Sequence, residues 1–241
     1  MDYADIHNHL VPGVDDGSRN EEMSVRLLHQ AAAEGITFMI ATPHNYPGHS
    51  EQKIPLVKER FARLQELAEA ETPQIRLYLG NEVFYRDRIA DDLEEGLALP
   101  LADTRYVLTE FHPAESRENV FKGLRRLTEG GWRPVIAHVE RIEVFSGDAA
   151  ALQNLRDMGA LLQVNTHTMT GGFFDRRSKF WRNMAAQGLI SFLGSDAHHP
   201  ERRPVMMKEA ITKLSKTMTA DWLASLAWEN AAALVAGERV Q

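Results

Sequence analysis

The sequence predicts a closed or nearly closed β/α barrel, and three observations carry that expectation. Short apolar runs alternate with amphipathic helical stretches seven times along the 241 residues. Alternation with short connections implies parallel strands with helices packed outside them. No Gly-rich phosphate loop follows the first strand, where a dinucleotide-binding sheet would carry one. Acidic and imidazole side chains recur at the downstream ends of the strands, where a β/α barrel gathers its active site.

Residues 2–7 read as the first strand, running into Asp5-Ile6-His7-Asn8-His9. Residues 18–34 have helical spacing through Met23, Leu27, Leu28 and Ala31, with Ser18 as the expected N-cap and Gly35 as the stop. Residues 36–41 are continuously apolar, as in a strand buried on both faces, and lead to Thr42-Pro43-His44. A loop with Pro47 and Gly48 precedes a helix at 51–70. Strand three, 75–79, ends in Gly80-Asn81-Glu82, and residues 88–100 are less regular. Strand four, 106–109, ends in Glu110-Phe111 and is followed by a helix at 115–130. Strand five, 133–137, ends in His138, with a helix at 148–158. Strand six, 160–164, ends in Asn165, with a helix at 173–187. Strand seven, 189–193, ends in Gly194-Ser195-Asp196-Ala197-His198, and helices at 205–216 and 220–236 close the chain. No linker or low-complexity segment divides it, so one domain over 1–241 is expected.

Composition narrows the chemistry. With 44% hydrophobic and 25% charged residues the chain is an ordinary globular one. A net charge of -7 gives no basic footprint for nucleic acid. No apolar run reaches membrane-span length and no secretory leader pattern opens the chain, so a cytoplasmic protein, not embedded in a membrane, is expected. Cysteine is absent, which removes disulfides, thiolate metal sites and a cysteine nucleophile.

The candidate ligands are His7, His9, His44, Glu82, Glu110, His138, Asp196 and His198, with one aspartate of Val14-Asp15-Asp16-Gly17 as a further candidate beside a turn reading. In an extended strand residues i and i+2 share a side, so His7 and His9 present both imidazoles to one ion. Four carboxylates and five imidazoles exceed the usual four ligands of one zinc and suit two or three divalent ions. Oxygen and nitrogen ligands without sulfur favour Mn, Fe or Zn. Such a cluster draws a phosphate dianion more strongly than a neutral amide or ester, so the expected substrate is a phosphate ester. Arg141 and the Arg202-Arg203 pair follow strand ends, where a guanidinium either holds phosphate oxygens or forms a surface ion pair. His29 reads as a surface residue. His49 and His112 read as structural, with substrate contact the alternative, and His167 and His199 are placed near the mouth. Phe173, Phe174, Phe180 and Trp181 read as helix packing.

Asp5-Ile6-His7-Asn8-His9, Val14-Asp15-Asp16-Gly17, Thr42-Pro43-His44, Gly80-Asn81-Glu82, Ile136-Ala137-His138-Val139-Glu140-Arg141, Gly194-Ser195-Asp196-Ala197-His198 and Arg203-Pro204 resemble the polymerase-and-histidinol-phosphatase (PHP) superfamily. Within it the chain is similar to the bacterial manganese-dependent protein-tyrosine phosphatases of capsule and exopolysaccharide operons. The resemblance implies a distorted seven-stranded TIM-like barrel holding three metals: Mn2+, or Fe, Zn or Mg in its place. One ion would take His7, His9, Glu82 and Asp196; a second would share Glu82 and take Glu110 and His138; a third would take Asp16, His44 and His198. Arg141 and Arg203 would bind phosphate, and the partner would be the phosphotyrosine tail of a bacterial tyrosine autokinase. Pro43, Asn45-Tyr46 and Asn165-Thr166-His167 depart from the family pattern at the mouth and bear on substrate preference. The expected reaction is hydrolysis of phosphotyrosine by in-line attack of a metal-bridging hydroxide. A small-molecule phosphoesterase such as histidinol-phosphate phosphatase is the alternative. A non-catalytic phosphoprotein-binding barrel fits less well, because the ligand set is full. A metal-dependent amidohydrolase would want a lysine at a strand end, and none of these strands ends in one.

Overall fold

A computed structural model describes residues 2–46, 53–172 and 174–240. In chain order the elements are β1 (Tyr3–Asn8), α1 (Glu21–Ala33), β2 (Ile36–Ala41), β3 (His44–Asn45), α2 (Lys53–Glu71), β4 (Arg76–Leu79), β5 (Glu82–Phe84), α3 (Ile89–Glu94), β6 (Tyr106–Glu110) and α4 (Arg117–Glu129). They continue as β7 (Arg133–Ile136), α5 (Ala149–Asp157), β8 (Leu161–Asn165), α6 (Thr166–Met169), α7 (Arg176–Ala186), β9 (Phe192–Gly194), α8 (Lys208–Leu214), α9 (Ala220–Ala224) and α10 (Asn230–Val235). A wide helical turn, Ser225–Glu229, joins α9 to α10.

The strands form a three-stranded sheet, β1-β2-β4, and a six-stranded sheet, β3-β5-β6-β7-β8-β9. Every pairing between them is parallel. Among the described residues the strands number nine in two sheets, not the expected seven. The predicted second strand stops at Thr42-Pro43, where proline cannot donate to a ladder. The predicted third stops at Gly80-Asn81. Asn81 ties the two breaks together: its amide donates to the Pro43 carbonyl at 2.8 Å, and its oxygen accepts from Leu99 N at 2.9 Å. Beyond the breaks His44 stands opposite Glu82. At the other edge β1 meets the segment after β9: His9 N donates to Ala197 O at 2.9 Å and Asp196 N to His7 O at 2.8 Å. The sheets thus curl so that the downstream ends of first and last strands adjoin.

Alternation along the strands sorts two cores. Phe38, Ile40, Val135, Ala137 and Leu161 lie in one cluster with Phe192, Leu234 and Val240. Met39, Ala41, Ile136, Leu162 and Val164 pack against Leu27, Leu64, Leu124, Leu155 and Trp181 of the helices.

Element ends differ locally from expectation. Asn20, not Ser18, caps α1, accepting from Met23 N at 2.9 Å. Ser18 N is already committed to the His9 carbonyl, and its hydroxyl bonds Ser24. The helix expected at 173–187 is α7, which starts at Arg176 under an Asp175 cap, and a short α6 that was not expected precedes it. Trp181 is fully buried, but Phe174 is exposed. Phe173, His49 and residues 51 and 52 lie outside the described residues. Among the described residues no helix is long and apolar enough to cross a membrane.

Candidate metal centre

The nine candidate ligands, far apart in sequence, meet in one place. His7 and His9 leave the end of β1 with their Nε2 atoms 3.4 Å apart. Glu82 opens β5 and is fully buried. Four imidazoles surround its carboxylate: His7 Nε2 at 3.2 Å, His9 Nε2 at 3.3 Å, His44 Nδ1 at 2.9 Å and His138 Nε2 at 2.8 Å. Glu110, the last residue of β6, lies 3.6 Å from both His44 and His138. Asp196 Oδ1 is 3.6 Å from His7, 3.5 Å from His9 and 3.6 Å from His198. Asp16 Oδ1 reaches His44 at 3.4 Å and His198 at 3.5 Å.

Three sets of ligand atoms fall within 4.8 Å of one another: His9, Asp16, His44 and His198; His7, His9 and Glu82; and His44, Glu82 and Glu110. The sets share members, so the cluster is continuous. They differ from the partition that the resemblance implies. His9 joins the Asp16 set, and His44 joins Glu82 and Glu110.

Orphaned polar atoms test whether cations fit. Both oxygens of Glu82, Oε2 of Glu110, Nδ1 of His44 and Nε2 of His198 are buried with no hydrogen-bond partner. Leaving such groups unpaired costs about 1–3 kcal/mol each, more for charged ones. Divalent ions bound by nitrogen and oxygen lone pairs remove that cost, so the donor set fits.

Surrounding residues aim the lone pairs. Asp15 Oδ2 accepts from His9 Nδ1 at 2.8 Å, Gln163 Oε1 accepts from His7 Nδ1 at 3.0 Å, and the Asp196 carbonyl accepts from His198 Nδ1 at 2.9 Å. Each bond fixes the tautomer that leaves Nε2 bare toward the centre. Gln163 Oε1 also accepts from His138 N at 2.7 Å. Asp5 accepts from His7 N, Ser195 N and Ser195 Oγ, locking β1 to the strand that carries Asp196. His138 (φ 28) and Asp196 (φ 52) sit in the left-handed region. That backbone strain, roughly 1–3 kcal/mol each, is of the kind found at functional sites. Gly17 is required where it stands, because a Cβ there would lie 2.4 Å from the His9 carbonyl.

Protons are held where cations would bind. Burial disfavours charge on His9, but Asp15, Asp196 and Glu82 outweigh it and raise its pKa well above the usual histidine value. His138, despite burial, is pushed up to about 10 by Glu110 and Glu82. Glu82 is held well below the carboxylate range, against burial, by His7, His138 and His44. His198 is pushed down to about 3 by burial and by His9.

Both predicted arginines converge on the outer oxygen of Asp196: Arg141 Nη2 at 2.5 Å and Arg203 Nη2 at 2.5 Å, with Asn165 Nδ2 donating at 2.8 Å. Arg141, Arg203, Asp196 and Asn165 line a cavity of about 340 Å³ beside the cluster, together with His167 and Arg177. Tyr46 stacks on His44 at 4.6 Å. Of the other described histidines, His29 pairs with Glu71, His112 accepts from Ala114 N, and His199 pairs with Glu201 while lining a hollow with Asp16, His198 and Arg203.

The sequence did not mark Gln163 or Asp5 as positioning residues, offered Asn165 only as a departure at the mouth, and left open which of Asp15 and Asp16 belongs to a turn. A signal existed for Gln163, an amide with apolar residues on both sides in β8.

Comparison with known proteins agrees with this geometry. A family model described as capsular polysaccharide synthesis, CpsB/CapC, matches residues 3–236. The tyrosine-protein phosphatase CpsB of Streptococcus pneumoniae is 30% identical over 217 residues, covering 88% of this chain and 89% of that protein. Among crystal structures of YwqE from Bacillus subtilis and CpsB from Streptococcus pneumoniae, described as unique metal-dependent tyrosine phosphatases, one superposes with a TM-score of 0.90 at 28% identity. It covers 99% of this chain and 96% of that one. A dihydropyrimidinase from Brevibacillus agri shares the fold alone, with a TM-score of 0.58 at 11% identity over 98% of this chain and 70% of its own. The chain therefore belongs to the CpsB/CapC family of capsular polysaccharide synthesis proteins.

Proposed function

We propose that this chain is a metal-dependent protein-tyrosine phosphatase. The observation that carries the reading is the buried carboxylate of Glu82, ringed by four imidazoles with neither oxygen hydrogen-bonded, beside two arginines anchored on Asp196. The reading assigns His7, His9, Asp16, His44, Glu82, Glu110, His138, Asp196 and His198 as ligands of three divalent ions, Mn2+ by preference. When bound, such ions neutralise phosphoryl charge and lower the pKa of a coordinated water. The whole chain would act as one domain, a distorted seven-position barrel in which β2 with β3, and β4 with β5, each count as one interrupted strand.

The protein's own groups then divide the work. Arg141 and Arg203 each spend one Nη2 on Asp196 and line the adjoining cavity, so their other N–H groups are placed to hold phosphoryl oxygens as charge builds. Asp15 and Gln163 keep His9 and His7 oriented. A phenolate leaves readily, so no protein acid is required. The substrate is the phosphotyrosine tail of a bacterial tyrosine autokinase, met in the cytoplasm.

The test is a pair of rate measurements on manganese-loaded protein, with a phosphotyrosine peptide and with histidinol phosphate. The peptide should be preferred by orders of magnitude, and the reverse preference ends the assignment. Glu110→Ala should remain folded yet lose metal and turnover together.

A further inference from the structure

A second site lies at the opposite end of the strands. Tyr106 and Arg133 are the first residues of β6 and β7, and Gly159 and Ala160 lead into β8. With Arg156 and Arg239 they line a cavity of about 490 Å³. Its strands run four to five residues before reaching the metal cluster, roughly 13–16 Å at strand rise. The two sites are separate.

Three guanidiniums face this cavity and, among the described residues, no Asp or Glu lines it. In a chain of net charge -7 that concentration is one-sided. Arg156 is half-buried. Burial alone lowers its pKa, with no carboxylate offsetting the loss of water. Its Nη1 donates to Ser191 Oγ at 2.6 Å and to the Ala160 carbonyl at 3.4 Å. Arg133 uses Nη1 on Tyr106 Oη and on the Gly237 and Glu238 carbonyls. Each fork is thus fixed through one nitrogen, and the rest of the fork is uncommitted. Fixed forks recognise phosphate oxygens at a low cost in side-chain entropy.

We propose that this cavity binds a small molecule carrying a diphosphate, with Arg133, Arg156 and Arg239 on its oxygens. Three guanidiniums offer more charge and more donors than one carboxylate or one phosphate matches, and two linked phosphoryl groups match them better. The volume falls in the range of small-molecule sites, and Leu161 and Val240 give it an apolar wall for the rest of the ligand. Occupancy would tie the start of the central strands to residues 237–240, which Arg133 and Tyr106 already hold by their carbonyls. Binding should therefore read out as thermal stability. The site does not depend on the phosphatase reading.

ADP-ribose is a suitable probe, because its diphosphate is a diester that a phosphomonoesterase does not cleave. At 100 times its dissociation constant it should raise the Tm of the metal-loaded protein by roughly 5–10 °C. Adenosine or inorganic phosphate at the same concentration should not. The shift should persist in Arg141→Ala, altered at the metal cluster, and vanish in Arg239→Ala, an exposed position whose loss leaves the fold intact. Arg156→Lys, which keeps the charge but not the fork, should weaken binding about tenfold. Turnover of p-nitrophenyl phosphate by Arg239→Ala should match that of the parent protein. The proposal is overturned by no shift with ADP-ribose, by an equal shift with adenosine or inorganic phosphate, or by a shift lost in Arg141→Ala and kept in Arg239→Ala.

Discussion

Asp15→Asn separates orientation from ligation at the metal cluster. The Asp15 carboxylate is almost fully buried and never faces the centre. Its Oδ2 takes His9 Nδ1 at 2.8 Å and His44 N at 3.0 Å, and its Oδ1 takes Gly17 N at 3.0 Å. Burial would raise its pKa, but His9 and the backbone donors hold it below the usual range. Asparagine keeps the size and loses one acceptor and the charge. With its oxygen kept toward His9 and His44, its NH2 confronts Gly17 N, a mispairing worth about 1–3 kcal/mol. In the other orientation NH2 faces His9 Nδ1, which must then give up its proton to Nε2 and cease to be a ligand. Removing a partner of this kind typically weakens metal binding 10–100-fold, or about 1.4–2.7 kcal/mol.

The assay is metal content after dialysis against a buffered manganese series, with turnover of p-nitrophenyl phosphate measured on the same samples. Asp16→Asn is the comparison, since the Asp16 side chain is 70% exposed and touches His44 and His198 from the cluster side. It should lose metal with no cost in stability, whereas Asp15→Asn should lose affinity and stability together. Asp15→Asn with the parent's affinity and turnover would refute the orienting role.

The metal-free protein should also respond to pH in a signed way. His138 has its pKa raised to about 10 in the fold, so its contribution is complete below the unfolded value near 6.5 and is lost as pH rises toward 10. His9 shifts in the same direction. Glu82 and Asp196, shifted down, contribute above the ordinary carboxylate range and lose that contribution on acidification. Urea denaturation of EDTA-treated protein should show stability falling between pH 6.5 and 10, while the gain on adding manganese grows across the same window. A flat profile there would count against the proton-holding cluster. Arg203→Ala should lower kcat/KM by about 10²–10³-fold with metal content unchanged, and loss of metal instead would make it a scaffold for Asp196.

The convergence of the candidate ligands was legible in the sequence because strand periodicity and strand ends are local properties. His7 and His9 at i and i+2, and Glu110 closing an apolar run, announce their place without knowledge of their neighbours. What depended on another strand was not legible. Pro43 marked one break, but the second, at Gly80-Asn81, is stabilised by an amide reaching back to Pro43 itself, so the two interruptions exist as a pair and split seven expected strands into nine. The choice between Asp15 and Asp16 is likewise tertiary. Gly17 presses against the His9 carbonyl more closely than any side chain allows, which turns Asp15 inward beneath His9 and leaves Asp16 on the outer side. Ser18 lost the cap position to Asn20 because its hydroxyl is spent on the Asn20 carbonyl and on Ser24 Oγ. The left-handed backbone at His138 and Asp196 carries no sequence mark at all, since neither is glycine. In that conformation the His138 amide donates to Gln163 Oε1 and the Asp196 amide to the His7 carbonyl. The acceptors of these two amides therefore sit on β8, which also orients His7, and on β1, which carries it. The aim of the His7 imidazole and the strained backbone at His138 thus share one acceptor, Gln163 Oε1.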